Sequence, residues 1–206
     1  MRQYGRRYHY LNKNKVRVEQ HLDNYLQQSN IRFSNYVSNQ GNNVSIRKII
    51  NALIENKRNP VELCKLVHGR IKNNHGKDII TASLTGVITD VDIDMLKACM
   101  EELELIEKQQ SQCIEKLEEL ANNHYAEEIS LLCTIPGIQI LSALIILSEL
   151  GGDMDAFLTA AMLVSWAGLR PRNDESAGKI RSHETLHGNK YLRKNTHRSS
   201  LGCFFI

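Results

Sequence analysis

The regular apolar stripe between Thr85 and His124 does most to limit what this chain can fold into. Leu96, Leu103 and Leu117 fall on one heptad position, with Gln110 between them, and Cys99, Ile106, Cys113 and Leu120 fall on the other. Glutamates and lysines fill the remaining faces. This spacing suits the 3.6-residue period of a helix and not the two-residue alternation of a strand. It predicts one long helix with a coiled-coil seam of about four heptads, in which the polar Gln110 sets register or partner number. Packing against another helix of the same chain would produce the same stripe, so self-association and internal packing both fit it.

Upstream, the periodicity is shorter. Leu11, Lys15, Val18, Leu22, Tyr25 and Leu26 predict a basic helix over 8–28, broken at Ser29-Asn30. Val44, Ile46, Ile49, Ile50, Leu53 and Ile54 predict a second helix over 44–56, starting from Asn42-Asn43. Asn59-Pro60 opens a third over Val61 to Val67, with Pro60 in its first turn and Gly69 closing it. Only three prolines interrupt the 206 residues. The expected fold is all-α: an N-terminal basic helical region (1–84), a coiled-coil helix (85–124), and a C-terminal helical module (125–206) beginning after Asn122-Asn123-His124-Tyr125.

The net charge of +3 hides an uneven distribution. Residues 1–32 carry seven Lys/Arg against two acids, 101–128 carry nine acids against two lysines, and 170–198 carry eight Lys/Arg against three acids. Two basic ends around an acidic middle suit a polyanion partner at the ends and a solvated helix between them, although charged helix faces are common in any soluble protein. The five cysteines (Cys64, Cys99, Cys113, Cys133, Cys203) form no CxxC pair, and all but Cys203 sit in apolar helical patterns. That favours reduced, buried thiols over disulfides or zinc. The start has no signal-peptide pattern. The longest apolar stretch, Ile138 to Leu147, is interrupted by Gln139 and Ser142 and is too short to span a bilayer. A cytoplasmic protein without a membrane partner is expected.

The C-terminal module holds the chemistry. Thr134-Ile135-Pro136-Gly137-Ile138, followed by Leu141, Ala143 and Leu144, matches a helix-hairpin-helix between a helix ending near Cys133 and one over Ile140 to Leu150. Pro136 fixes the turn and Gly137 allows close backbone approach. The unpaired N–H groups opening the second helix then suit a phosphodiester, giving sequence-independent DNA contact. Gln139 stands where such hairpins commonly carry a second glycine, and an ordinary tight turn between core helices reads the same way. Gly151-Gly152 ends the second helix, and Asp153 or Asp155 caps the next, which stops at Gly168.

Ser176 follows, in Arg170-Pro-Arg-Asn-Asp-Glu-Ser-Ala-Gly-Lys-Ile-Arg181. Arg170, Arg172, Lys179 and Arg181 suit a phosphate and the charge that develops on it. His183 or His187 suits proton transfer. A serine beside a glycine in a polar loop is also an ordinary turn residue. A short basic helix from Lys190, including Arg193, completes the module.

These stretches together resemble an insertion-sequence transposase family, a group of RNA-guided recombinases related to the Piv-type DNA invertases. The resembling residues are Thr-Ile-Pro-Gly-Ile at 134–138, Ser-Glu-Leu-Gly at 148–151, Phe157, and Ser-Trp-Ala-Gly-Leu-Arg-Pro at 165–171. Asn-Asp-Glu-Ser-Ala-Gly-Lys at 173–179 and Gly-Asn-Lys-Tyr-Leu-Arg at 188–193 continue the likeness. Upstream, the basic helix, Asn-Pro-Val-Glu-Leu at 59–63, Gly69-Arg70 and the heptad helix extend it to roughly residues 8–195.

The resemblance implies DNA transposition through a covalent serine–phosphate linkage, with Ser176 as the attacking serine. Pro136, Gly137, Ile138, Gln139, Arg170, Arg172, Lys179, Arg181, Lys190 and Arg193 would contact DNA. It also implies magnesium held by a D-E-D-D carboxylate set in a RuvC-like domain ahead of the coiled coil. The early acids Glu19, Asp23, Glu55 and Glu62 lie in helical patterns and do not look like that set, so no cofactor is expected within this chain. The tail after Asn195, Thr-His-Arg-Ser-Ser-Leu-Gly-Cys-Phe-Phe-Ile, departs from the apolar helix expected there and reads as a frameshift or premature stop. The expected partners are DNA, a guide RNA, and a second copy or a full-length transposase paired through the coiled coil. The expected function is a DNA-binding transposase portion that is inactive alone. The rival is a non-catalytic DNA-binding or transposase-regulating helical protein.

Overall fold

The computed structural model describes residues 1–37, 44–170, 174–176, 179–182 and 187–193. Among them the chain is helical, as expected, apart from one small β-hairpin. In order come α1 (Arg2–Gln28), a 3-10 turn (Phe33–Tyr36), α2 (Val44–Ile54), α3 (Pro60–Leu66), α4 (Gly69–His75) and α5 (Lys77–Ser83). The long α6 (Asp90–His124) follows, then α7 (Ala126–Cys133), α8 (Ile140–Leu150), α9 (Ala160–Ala167), β1 (Asp174–Ser176) and β2 (Lys179–Ser182). A last helical turn occupies 190–193.

The contacts gather into two units. One comprises 11–108, the other 1–10 together with 109–206, so both α1 and α6 contribute to each.

Within 11–108, Leu11, Val18, Leu22 and Leu26 form the buried face of α1, Ile49, Ile50 and Leu53 that of α2, and Leu96 and Leu103 that of α6. Leu22 and Leu26 share a cavity wall with Ile46, Ile50 and Leu103, which ties the three helices together. Glu107 on α6 accepts from Lys15 Nζ at 2.8 Å and from Arg47 through both carboxylate oxygens. The Arg47 hydrogen bonds, working against burial and helped by Lys15, lower the Glu107 pKa to about 2. The long helix starts on a reciprocal cap: Thr89 Oγ1 accepts from the Asp92 N–H at 3.2 Å, and Asp92 accepts from the Thr89 N–H at 2.8 Å.

Within the other unit, Leu117 and Ala121 of α6 enclose Leu144 of α8, with Met1 and Ile129 packed beside them. A second cluster joins Ile138, Ala143, Ile146, Ala167 and Leu192. Leu96, Leu103 and Leu117 are thus all buried inside the chain itself, and Gln110 is 9% exposed among them. Internal packing accounts for that column of the heptad stripe.

Several boundaries differ from expectation. α1 begins at Arg2, not residue 8. Its first two turns are held by polar contacts, described below, and so lack an apolar period. Gly69 opens α4 instead of closing α3, because His68 Nδ1 accepts from the Arg70 N–H at 3.2 Å and caps the new helix. α9 starts at Ala160, capped by Thr159, whose Oγ1 accepts from the Met162 N–H at 3.3 Å. Asp153 instead accepts from the Asp155 N–H at 2.9 Å, closing a local turn ahead of that helix.

Candidate nucleic-acid interface

The Pro136-Gly137 segment forms a tight turn between α7 and α8. The Ile138 N–H donates to the Ile135 carbonyl at 3.1 Å, and Gly137 has φ +87°, which a side chain would strain. Ile138 is buried and points the turn inward onto the cluster of Ala143 and Ile146. Gln139 sits at φ −98°, ψ 167°, an extended conformation open to any residue. No second glycine is needed there. Gln139 supplies no side-chain cap to α8, and Ile140 is 59% exposed. The first turn of α8 thus starts without a side-chain cap. Beneath the turn lies an apolar cavity of about 110 Å³, with Leu132, Ile135, Ile146, Leu163 and Leu192 in its wall.

Ser176 lies at the end of β1, paired in register with Lys179 of β2, while Glu175 pairs with Ile180 and Asp174 with Ser182 across a bulge. The serine thus sits on a hairpin and not in an open loop. Such short polar strands carry no apolar alternation from which a strand could be read. Gly188 lies against the end of α9: a Cβ on it would collide with the backbone of Ala167 and Gly168, so only glycine permits this approach. α9 ends at Gly168 in the left-handed conformation (φ +73°), which turns the chain toward Arg170.

The segment at 187–193 is fastened by Asn189. Its Oδ1 accepts from the Tyr191 and Leu192 N–H groups at 2.9 and 3.2 Å, capping the turn at 190–193. Its Nδ2 donates to Glu149 Oε2 at 2.7 Å. Glu149 is 1% exposed and also receives Arg6 Nε at 2.9 Å and Nη2 at 3.0 Å. Arg2 Nη2 donates to the Glu149 carbonyl at 2.8 Å. Burial pushes the Glu149 carboxyl up, but the bonds from Arg6 and Asn189 and the charges of Arg6 and Arg2 outweigh it, leaving the pKa below the ordinary carboxylate value. Gly5 is the contact point on α1, since a side chain there would strike Ser148.

The structure therefore places the expected residues unevenly. Pro136, Gly137, Ile138 and Gln139 form the α7–α8 turn. Arg170 is exposed after α9, and on the turn at 190–193 Lys190 is exposed and Arg193 half-buried. Lys179 and Arg181 lie on β2. Arg172, His183 and the tail after Asn195 lie outside the described residues. Among the described residues, no group of three or more His, Cys, Asp or Glu side chains could hold a metal ion, and no helix is long and apolar enough to cross a membrane.

Sequence reading passed over Glu149, Asn189, Arg6 and Tyr191. The signal lay in Ser-Glu-Leu-Gly and Gly-Asn-Lys-Tyr-Leu-Arg, whose Glu149 and Asn189 had no separate explanation until the fold joined them.

The α7–α8 turn, the hairpin bearing Ser176 and the exposed Arg170 and Lys190 thus lie in one stretch of the chain. Residues 129–202 of this chain match the family described as Transposase IS116/IS110/IS902 family. The match covers less than half of the chain and shows similarity to a transposase family over that stretch, a family whose partner is DNA. No curated protein and no solved structure matches the chain.

Proposed function

We propose that this chain is the DNA-binding, serine-bearing portion of an insertion-sequence transposase or site-specific recombinase. The observation that carries the reading is coincidence: the family match spans 129–202, the same stretch that holds the α7–α8 turn, the Ser176 hairpin and Asn189 with its bond to Glu149. In the parent reaction, Ser176 Oγ attacks a DNA phosphorus. An Oγ–P bond forms, a P–O bond to one deoxyribose breaks, and that deoxyribose oxygen leaves with a proton. The serine proton passes to a base, for which His183 and His187 are nearest in sequence. Arg170, Arg172, Lys179 and Arg181 neutralise the phosphate.

The two acids with arginine partners described above, Glu107 and Glu149, are not available to a magnesium ion. The resemblance assigns the metal to RuvC-like carboxylates, which would supply activation of the phosphodiester. On this reading, the residues described would bind DNA and leave it unjoined without those carboxylates. The engagement of those acids equally favours a second reading, a non-catalytic DNA-binding protein that regulates a full-length transposase through α6. A guide RNA remains an implied partner of the parent reaction.

One experiment tests both readings: incubation with supercoiled DNA and magnesium, scored for binding across salt and for covalent adducts. Binding that weakens with salt, without an adduct, is expected. An adduct that disappears in Ser176→Ala would overturn the claim that the chain is inactive alone. Absent or salt-insensitive binding would remove the DNA-binding reading altogether.

A further inference from the structure

The two basic ends of the sequence meet in the fold. The Tyr191 ring, on the turn at 190–193, has the Arg6 guanidinium 4.9 Å from its centroid and the Lys190 ammonium 5.2 Å away. The His9 ring stands edge-on to it at 5.3 Å. Arg6, Arg2 and Asn189 all bond Glu149, so α1 and the 190–193 turn share one buried anchor. Two cations, Arg2 and Arg6, thus meet a single carboxylate that is only 1% exposed, while their own side chains are 56% and 46% exposed; Lys190 joins Arg6 on the Tyr191 ring.

An aromatic face eases the crowding of two cations, because its quadrupole attracts each of them. It does not cancel their charge, and a positive excess is left at the surface.

We infer that the first two turns of α1 and the 190–193 turn form one binding surface for the backbone of duplex DNA, centred on Tyr191, with Arg2 and Lys190 making phosphate contacts. Arg6 and Glu149 are positioning residues, which hold the two segments together. The inference rests on the DNA-binding reading above and extends it to a helix outside the matched stretch. A phosphodiester fits because it is a delocalised anion that several spaced cations can share, and because each contact releases counterions.

The test is a salt titration of duplex DNA binding by the full chain, beside the variants Arg2→Gln, Lys190→Gln and the double variant. Each contact removed should lower the slope of log K against log salt by about 0.9, so that the loss of affinity between 50 and 200 mM salt shrinks about threefold per contact. Arg2→Lys keeps the charge and should keep the slope even if affinity falls. Lys77→Gln with Lys97→Gln, both within 11–108, should leave the slope unchanged. Melting curves confirm that each variant is folded, and Lys190→Gln, at an exposed position, decides the matter if Arg2→Gln unfolds.

A double variant that binds with the wild-type slope would overturn the surface and leave the DNA-binding reading intact. A wild-type chain that binds no duplex DNA would overturn that reading first. A slope that changes only with single-stranded RNA of equal length would overturn the choice of DNA.

Discussion

Two carboxylates, Glu107 and Glu149, each gather two basic side chains, yet they leave very different surfaces. Glu107 takes Lys15 and Arg47 within the unit formed by 11–108, where the Lys15 side chain is only 15% exposed. Those basic residues are consumed in joining α1, α2 and α6. Glu149, in the other unit, is itself buried while its arginines remain about half exposed. There the acid fastens the cations without hiding them, and Lys190 adds to the excess. Basic residues counted along a helix therefore say little about polyanion binding. What matters is whether the partner acid takes the cation inward or holds it at the surface.

The largest expected effect tests that contrast through the core. Leu144→Ala, against Leu117 and Ala121, should cost about 2–5 kcal/mol of unfolding free energy by chemical denaturation. Because Met1 packs on the same cluster, the variant should also weaken DNA binding per folded molecule. Leu103→Ala, in 11–108, should cost a similar amount and leave that binding unchanged. Equal effects of the two on binding would break the distinction between the units.

A smaller effect lies in acid. The folded pKa of Glu107, about 2, is below its ordinary value, so its contribution to stability is complete above about pH 4.5 and is lost as pH falls toward 2. The Glu149 carboxyl is also lowered, so its contribution too is lost on acidification. Glu107→Gln and Glu149→Gln should each flatten the fall in melting temperature between pH 5 and pH 2, relative to wild type. Only Glu149→Gln should alter DNA affinity at neutral pH, since only it loosens the surface around Tyr191. A steeper acid loss in either variant would contradict the assigned direction.

The finest comparison is inside the α7–α8 turn. Gly137→Ala should destabilise by about 1–2 kcal/mol, because φ +87° is unfavourable for a side chain. Gln139→Gly should change stability by less than about 1 kcal/mol and only through chain entropy, as its conformation is ordinary. If Gln139→Gly instead strengthened DNA binding severalfold, the residue would be a genuine departure from a phosphate-binding hairpin.

The helices were legible where packing is periodic. The stripe through Leu96, Leu103 and Leu117 announced α6, Leu11 to Leu26 announced most of α1, and Asn59-Pro60 and Gly151 marked ends that the fold uses. The first turns of α1 were not legible, because a polar anchor leaves no period to read. Nor was the strand pairing of Ser176 with Lys179, since three- and four-residue polar strands carry none either. Of the candidate site, the turn and the serine segment stood out as local patterns, whereas Glu149 and Asn189 gained meaning only through a bond between residues 40 positions apart.

The sequence by itself determined the helical fold, the turn at Pro136-Gly137, and the existence of two basic ends, because each follows from periodicity, backbone restriction or composition over a few neighbouring residues. Only the tertiary structure decided which face of the heptad stripe the chain covers itself. It alone also decided which basic residues are spent on Glu107, and that the two ends converge on Tyr191. Charge and burial are pairwise quantities in space, and a linear count cannot say which acid a cation will meet.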